Sequence, residues 1–261
     1  MIQFYSFELQ DELILNLFDQ KTNGTFLDVA CSHPISGSNT YTLEKQFNWS
    51  GFGFDLYDVN ELYPSCQWDI HRTSPFVQVD VTTDNFSNFL KNNIPAGTII
   101  DYVSLDIDGM DTITALKKII EAGIKFKSVT YEHEYYIFGD KYRDMSRKIL
   151  EDLGFVNLFS DVKLLTANEF GTPHKINDTE YFEDWWIHPD YFDPKLLEIK
   201  SSGIYYDECV DILKKFKNAN YQSTHPCSRA HPEEYSFYVP PYDEHYMKPV
   251  FDLVRSKKLA K

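Results

Sequence analysis

Two short apolar runs that each end in an aspartate, Thr25-Phe26-Leu27-Asp28 and Gly51-Phe52-Gly53-Phe54-Asp55, most constrain the fold of this chain. Between them lie a turn over residues 30–37 and a helical pattern that opens near Ser38. Strand, turn, helix and acid-terminated strand is the layout of a nucleotide-binding βαβ unit, in which the turn and both strand ends face one ligand. The turn itself has an unusual composition. Ala30 and Pro34 stand where a tight cradle uses residues without side chains, and Pro34 also removes a backbone donor.

The rest of the chain extends this unit. Leu9, Leu13, Ile14, Leu17 and Phe18 share one stripe, predicting an amphipathic helix over 9–18. Runs at 25–30, 51–56, 76–81, 99–107 and 126–133 are short, apolar and β-branched, as in strands buried within a parallel sheet. Helical patterns occupy 38–47, 84–93, 111–122 and 140–153, with Gly123 and Gly154 as stops. This alternation predicts a Rossmann-like α/β sheet, mostly parallel, with helices on both faces and a ligand site at the carboxyl ends of the strands. Runs at 155–165 and 180–188 predict an antiparallel pair at the sheet edge. A helix is expected at 205–216 and another at 247–259, so residues 1–191 read as the α/β domain and 192–261 as a helical and loop extension packed on it.

Charge narrows the partners. Forty acidic residues against 25 basic ones give a net charge of -15, a field that repels phosphate backbones, so no nucleic-acid partner is expected. No run approaches the roughly 18 apolar residues that cross a bilayer, and residues 1–12 lack the basic and apolar regions of a leader. No membrane partner and a cytoplasmic location follow as expectations. Cys31, Cys66, Cys209 and Cys227 lie far apart with no CxxC spacing, which indicates reduced thiols and no structural zinc. Aromatic residues reach 16%, consistent with a thick core or with a stacking surface for a ligand such as a sugar.

Five segments, in order, resemble the FkbM-type S-adenosylmethionine-dependent methyltransferases. Ser6-x-x-x-Gln10-Asp11 is similar to that family's SxxxQD signature, and residues 27–45 (LDVACSHPISGSNTYTLEK) to its cofactor motif running into a helix start. Residues 102–109 (YVSLDIDG) resemble its S-[IL]-D-[VI]-[ED]-G strand, residues 129–133 (VTYEH) its following E-H strand, and residues 183–189 (EDWWIHP) its late D-W-[FW]-x-x-P segment. The family's turn usually reads D-[IV]-G-A-N-x-G, so Ala30 and Pro34 depart from it, and residues beyond about 192 have no counterpart. The resemblance implies a class I methyltransferase sheet, S-adenosyl-L-methionine as cofactor, and methyl transfer to a hydroxyl of a sugar or similar polyhydroxylated small molecule or glycan.

Roles follow from that layout. Asp55 would accept the two ribose hydroxyls, or else cap the next turn. Asp80 and Val81 would meet the adenine. Asp28 and the backbone of Ala30, Cys31 and Ser32 would face the methionine end, with Ser38 and Asn39 either joining them or serving as helix caps. Asp106 would abut the cofactor. Transfer to a hydroxyl also needs a proton acceptor, for which Asp108, Glu132 and His133 are the candidate catalytic residues, with a structural His133 hydrogen bond as the plainer reading. Residues 106 and 108 of a strand point to the same side, so Asp108 is expected one step further toward the substrate than Asp106. Asp106, Asp108, Glu132 and His133 could instead hold a divalent metal, the less favoured reading. Tyr181 and Trp185 are expected to contact substrate, with one of Trp185 and Trp186 turned into the core, and the aromatic tail (Tyr235, Phe237, Tyr238, Tyr242, Tyr246) could wall the pocket. A rival reading is a catalytically silent glycan-binding or scaffolding relative; an NAD-dependent oxidoreductase would need a GxGxxG turn that this sequence lacks.

Overall fold

The computed structural model describes residues 1–163, 165–167, 173–175 and 181–228. Its main sheet contains β1 (Thr25–Val29), β2 (Ser50–Asp55), β3 (Phe76–Gln78), β4 (Ile99–Leu105), β5 (Lys125–Glu132), β6 (Val156–Lys163), β7 (Tyr181–Ile187) and the two-residue β8 (Ser201–Ser202). The spatial order is β3-β2-β1-β4-β5-β7-β6-β8. β1 to β5 are parallel, and β7 runs antiparallel to both β5 and β6. The sheet is therefore Rossmann-like, mostly parallel with an antiparallel pair toward one edge. Within that pair only β7 is reversed. It is inserted between β5 and β6, so β6 keeps the direction of the parallel set.

Six helices matter for the argument: α1 (Gln10–Leu17), α2 (Tyr41–Phe47), α3 (Asp84–Asn93), α4 (Met110–Glu121), α5 (Asp140–Asp152) and α6 (Tyr206–Lys217). Strand alternation divides the core between two faces. Phe26, Tyr102, Phe159 and Trp185 pack with Leu13, Ile14 and Leu17 of α1, Leu43 of α2 and Tyr206, Val210 and Leu213 of α6. Leu27, Val29, Phe54, Val103, Leu105 and Trp186 pack with Phe86 and Leu90 of α3, Ile113, Leu116 and Ile119 of α4 and Leu150 of α5. Helices on both faces leave the strands no solvent side, which is why they read as continuous apolar runs. The Gly-x-Gly of β2 has a packing cause: a Cβ on Gly51 would stand 2.0 Å from the Phe26 carbonyl oxygen, and one on Gly53 would stand 2.6 Å from the Trp68 ring.

The structure refines several boundaries. β3 stops at Gln78 because Asp80 folds back into a turn, its Oδ1 accepting from Thr82 N (2.9 Å) and Thr82 Oγ1 (2.6 Å). β4 stops at Leu105, so Asp106 and Asp108 lie past the strand and the expected alternation does not govern them. Single helical turns at Val59–Leu62, Trp68–His71 and Tyr135–Phe138 went unanticipated, being too short to show a period. Beyond residue 191, β8 pairs with β6, Ser223–Thr224 pairs with Ile2–Gln3, and α6 lies on α1. There Glu12 accepts from Lys214 Nζ and Tyr221 OH at 2.9 Å each and lies 2.6 Å from His225 Nε2. The aromatic tail and the 247–259 helix fall outside the described residues. Among the described residues, no helix is long and apolar enough to cross a membrane.

Candidate active site

In a sheet ordered 3-2-1-4-5, the connections from β1 and β4 leave in opposite directions, which opens a crevice at their carboxyl ends. Asp28, near the end of β1, is buried there, and its Oδ2 accepts from Thr40 Oγ1 at 2.5 Å. Burial pushes its carboxyl up to about 6, Asp106 and Asp55 act in the same direction, and Thr40 and Arg72 oppose them. After Val29 the chain turns sharply. Ala30 (φ +64) and Ser32 (φ +48) are both left-handed, and the N–H groups of Ala30 and Cys31 both donate to the Phe54 carbonyl, at 2.9 and 3.0 Å. The loop thus keeps a backbone shape natural to glycine, at a cost of about 1 kcal/mol or more for each side-chain-bearing residue.

This loop is tied directly to the acid of β2. Asp55 Oδ2 accepts from Ser32 N and Oδ1 from Tyr57 N, each at 3.1 Å, so each oxygen keeps acceptor capacity for a further donor. Burial raises the Asp55 carboxyl. Ser32 Oγ lies 3.0 Å from Tyr63 OH, and the Cys31 thiol is buried and pushed well up, which makes it a packing group rather than a nucleophile. Asn39 Nδ2 donates to Ser104 Oγ of β4 at 3.0 Å. Ser38 Oγ accepts from Thr40 N and Tyr41 N, the capping role.

Arg72, which the sequence did not mark, holds the loop from behind. Its side chain is fully buried. Nε donates to Glu44 Oε2 (2.8 Å), Nη1 to Ser38 Oγ (3.1 Å) and the Pro34 carbonyl (3.2 Å), and Nη2 to Thr40 Oγ1 (2.8 Å). The guanidinium also sits 4.5 Å from the centre of the Trp68 ring. A chain of contacts therefore runs from Glu44 through Arg72 and Thr40 to Asp28.

A second group of acids gathers at the ends of β4, β5 and β7. Glu132 and Glu183 are directly opposed across β5 and β7, and both are buried. Burial pushes each carboxyl well above its usual range, with neighbouring Asp106 acting in the same direction. Opposed like charges destabilise a strand pair until one group is protonated or a cation comes near. Trp185 Nε1 donates to Glu183 Oε1, and Glu134 Oε2 accepts from Gly109 N at 3.1 Å, holding the loop that carries Asp108. Asp108 is partly buried on that loop, while Asp106 and Asp80 are exposed and Val81 is packed near Phe86.

His133 is placed apart from these acids. It follows Glu132 in sequence and so points to the opposite side of the sheet, where its Nδ1 accepts from Tyr135 N (3.2 Å) and its Nε2 lies 3.5 Å from Asp184 Oδ1. Burial works against the Asp184 charge, yet hydrogen bonds from Arg147 and the nearby His133 imidazole hold that carboxyl well below its usual range. Asp106, Asp108, Glu132 and His133 therefore do not form one ligand set. His133, Asp161 and Asp184 do bring ligand atoms within 4.8 Å of one another, but Arg147 spans Asp161 and Asp184 at 2.8 Å each and already supplies the positive charge. Trp185 and Trp186 are both buried, one in each face's core, because β7 is covered on both sides. Tyr181 is half-buried with its ring 5.4 Å from that of Tyr135, which in turn lies under the Arg143 guanidinium at 4.4 Å.

Sequence reasoning missed Arg72, Thr40, Glu134 and the opposition of Glu183 to Glu132. The last becomes visible only once β7 is known to pair with β5. No protein-family model matches the chain, and no curated protein does. Among solved structures, the crystal structure of human methyltransferase-like protein 13 in complex with SAH is similar over 89% of this chain and 95% of that one, at 12% sequence identity and a TM-score of 0.42.

Proposed function

We propose that this chain is an S-adenosylmethionine-dependent O-methyltransferase, of FkbM type, acting on a hydroxyl of a sugar or similar polyhydroxylated metabolite. The observation that carries the reading is the convergence of Asp28, Asp55 and Asp106, from three adjacent strands, close enough for each of the other two to raise the Asp28 carboxyl. A pocket walled by mutually repelling carboxyls suits a ligand that bears positive charge, and the remaining acceptor capacity on Asp55 suits a vicinal diol. When bound, S-adenosylmethionine supplies a methyl group on a positively charged sulfur.

The residues of the chain divide the remaining work. Asp55 holds the ribose, Val81 and the Asp80 turn border the adenine, and Asp28 with the loop from Ala30 through Cys31 to Ser32 and with Asn39 borders the amino-acid end. Asp106 stands between this pocket and the acceptor side. Glu132 is the proton acceptor for the substrate hydroxyl, standing buried at the end of β5 opposite Glu183 and beside Asp106. Asp108 lines the approach, and His133 positions the end of β5 through Asp184. Tyr181, with Tyr135, offers ring faces to a sugar. Cys31, Cys66, Cys209 and Cys227 are free thiols, in keeping with a reducing, cytoplasmic setting. Isothermal titration with S-adenosylmethionine and S-adenosylhomocysteine tests the reading, and no heat of binding at millimolar ligand would refute it.

A further inference from the structure

His33 occupies the loop after β1 and is buried, with 9% of its surface exposed. Its Nδ1 accepts two backbone donors, Ile35 N at 3.1 Å and Ser36 N at 2.8 Å. A ring nitrogen that accepts must be unprotonated, so the imidazole proton resides on Nε2. Burial, with His71 nearby, pushes the ring down to about 4, which keeps it neutral at physiological pH. Nε2 is buried and meets no hydrogen-bond partner among the described residues. A donor fixed in this way and left unsatisfied carries the full cost of its desolvation unless a ligand or a water completes it.

The imidazole stands edge-on to Tyr63 at 4.7 Å, and Tyr63 OH lies 3.0 Å from Ser32 Oγ in the residue whose N–H holds Asp55. The next residue, Pro34, has no N–H to offer, and its carbonyl is already taken by Arg72. The loop thus lacks a backbone donor at position 34 and presents a side-chain donor at position 33. We propose that the His33 Nε2–H donates to an anionic oxygen of the ligand bound against this loop, namely the carboxylate at the amino-acid end of the cofactor. The assignment rests on reading the crevice as the cofactor pocket.

The test compares two nucleosides that differ at that end: S-adenosylhomocysteine, which has the carboxylate, and 5′-methylthioadenosine, which lacks it. His33→Asn keeps a side-chain oxygen able to accept the Ser36 N–H but removes the distal donor. By titration calorimetry, the variant should lose about 10- to 100-fold in affinity for S-adenosylhomocysteine and hold its affinity for 5′-methylthioadenosine. In the nitrogen-15-labelled wild type, the His33 Nε2–H resonance should move with the first ligand and stay in place with the second. Equal losses for both ligands, or unchanged affinity for S-adenosylhomocysteine, would overturn the assignment while leaving the cofactor reading intact. A wild-type protein that binds neither nucleoside would end both.

Discussion

Replacing Arg72 with methionine should destabilise the protein by about 3–5 kcal/mol, the usual consequence of leaving one partner of a buried ion pair behind. Methionine keeps much of the apolar stem under Trp68 but removes all four hydrogen bonds that the guanidinium makes to Glu44, Ser38, Pro34 and Thr40. Glu44 keeps its contacts from Thr73 N and Thr73 Oγ1. For a chain of this size the loss corresponds to a fall of roughly 6–20 °C in melting temperature. The assay is urea denaturation of four proteins: wild type, Arg72→Met, Glu44→Gln and the double variant. The double variant should be more stable than Arg72→Met alone, because the orphaned charge is gone. The pH dependence has a definite sign. Burial pushes the Glu44 carboxyl up, but Arg72 and Thr73 hold it below its ordinary value, so its stabilisation is present above the unfolded pKa and lost as pH falls through the folded one. The gap between wild type and Arg72→Met should accordingly narrow on acidification. A cost under about 1 kcal/mol, the range of an exposed pair, or a gap indifferent both to pH and to Glu44→Gln, would refute this account of the clamp.

Asp28 behaves in the opposite way. Its folded pKa is raised from 3.8 to about 6, so the folded state binds a proton more tightly than the unfolded one, and stability should decline as pH rises through that window by up to about 3 kcal/mol. Asp28→Asn should flatten the slope in denaturation curves taken from pH 4 to 7, and an unchanged slope would assign it to other groups. Glu132→Gln should lower methyl transfer by about 10²- to 10⁴-fold while leaving S-adenosylhomocysteine affinity within a few-fold, as read by a coupled transfer assay and calorimetry. A variant that retains full activity would remove Glu132 from the role of base.

The strands and long helices were legible because a parallel sheet covered on both faces writes nearly unbroken apolar runs: β1, β2, β4 and β5 end within two residues of their expected places. The acids at the ends of β1, β2 and β4 were legible for the same reason. Other parts depended on spatial neighbours that no local pattern records. Trp185 and Trp186 were expected to divide between core and ligand, as on an edge strand, but β7 lies inside the sheet and both rings are packed. His133 and Glu132 are adjacent in sequence and were grouped together, whereas strand alternation sends one to Asp184 and the other to Asp106. Arg72 is a lone cation 28 residues from Glu44, and such a pairing exists only once the loop has folded over it.

The left-handed Ala30 and Ser32 have a consequence for how such chains are traced. Their turn is imposed from outside, by the Phe54 carbonyl and the Asp55 carboxylate in front and the Arg72 clamp behind. Once neighbours dictate a bend, the letters inside it are free to drift, and glycine ceases to be its hallmark. Searches keyed to a glycine signature will pass over relatives built this way. The more durable mark to look for is the brace: a buried arginine set beyond the second strand and a buried glutamate in the helix between the first strand and the second.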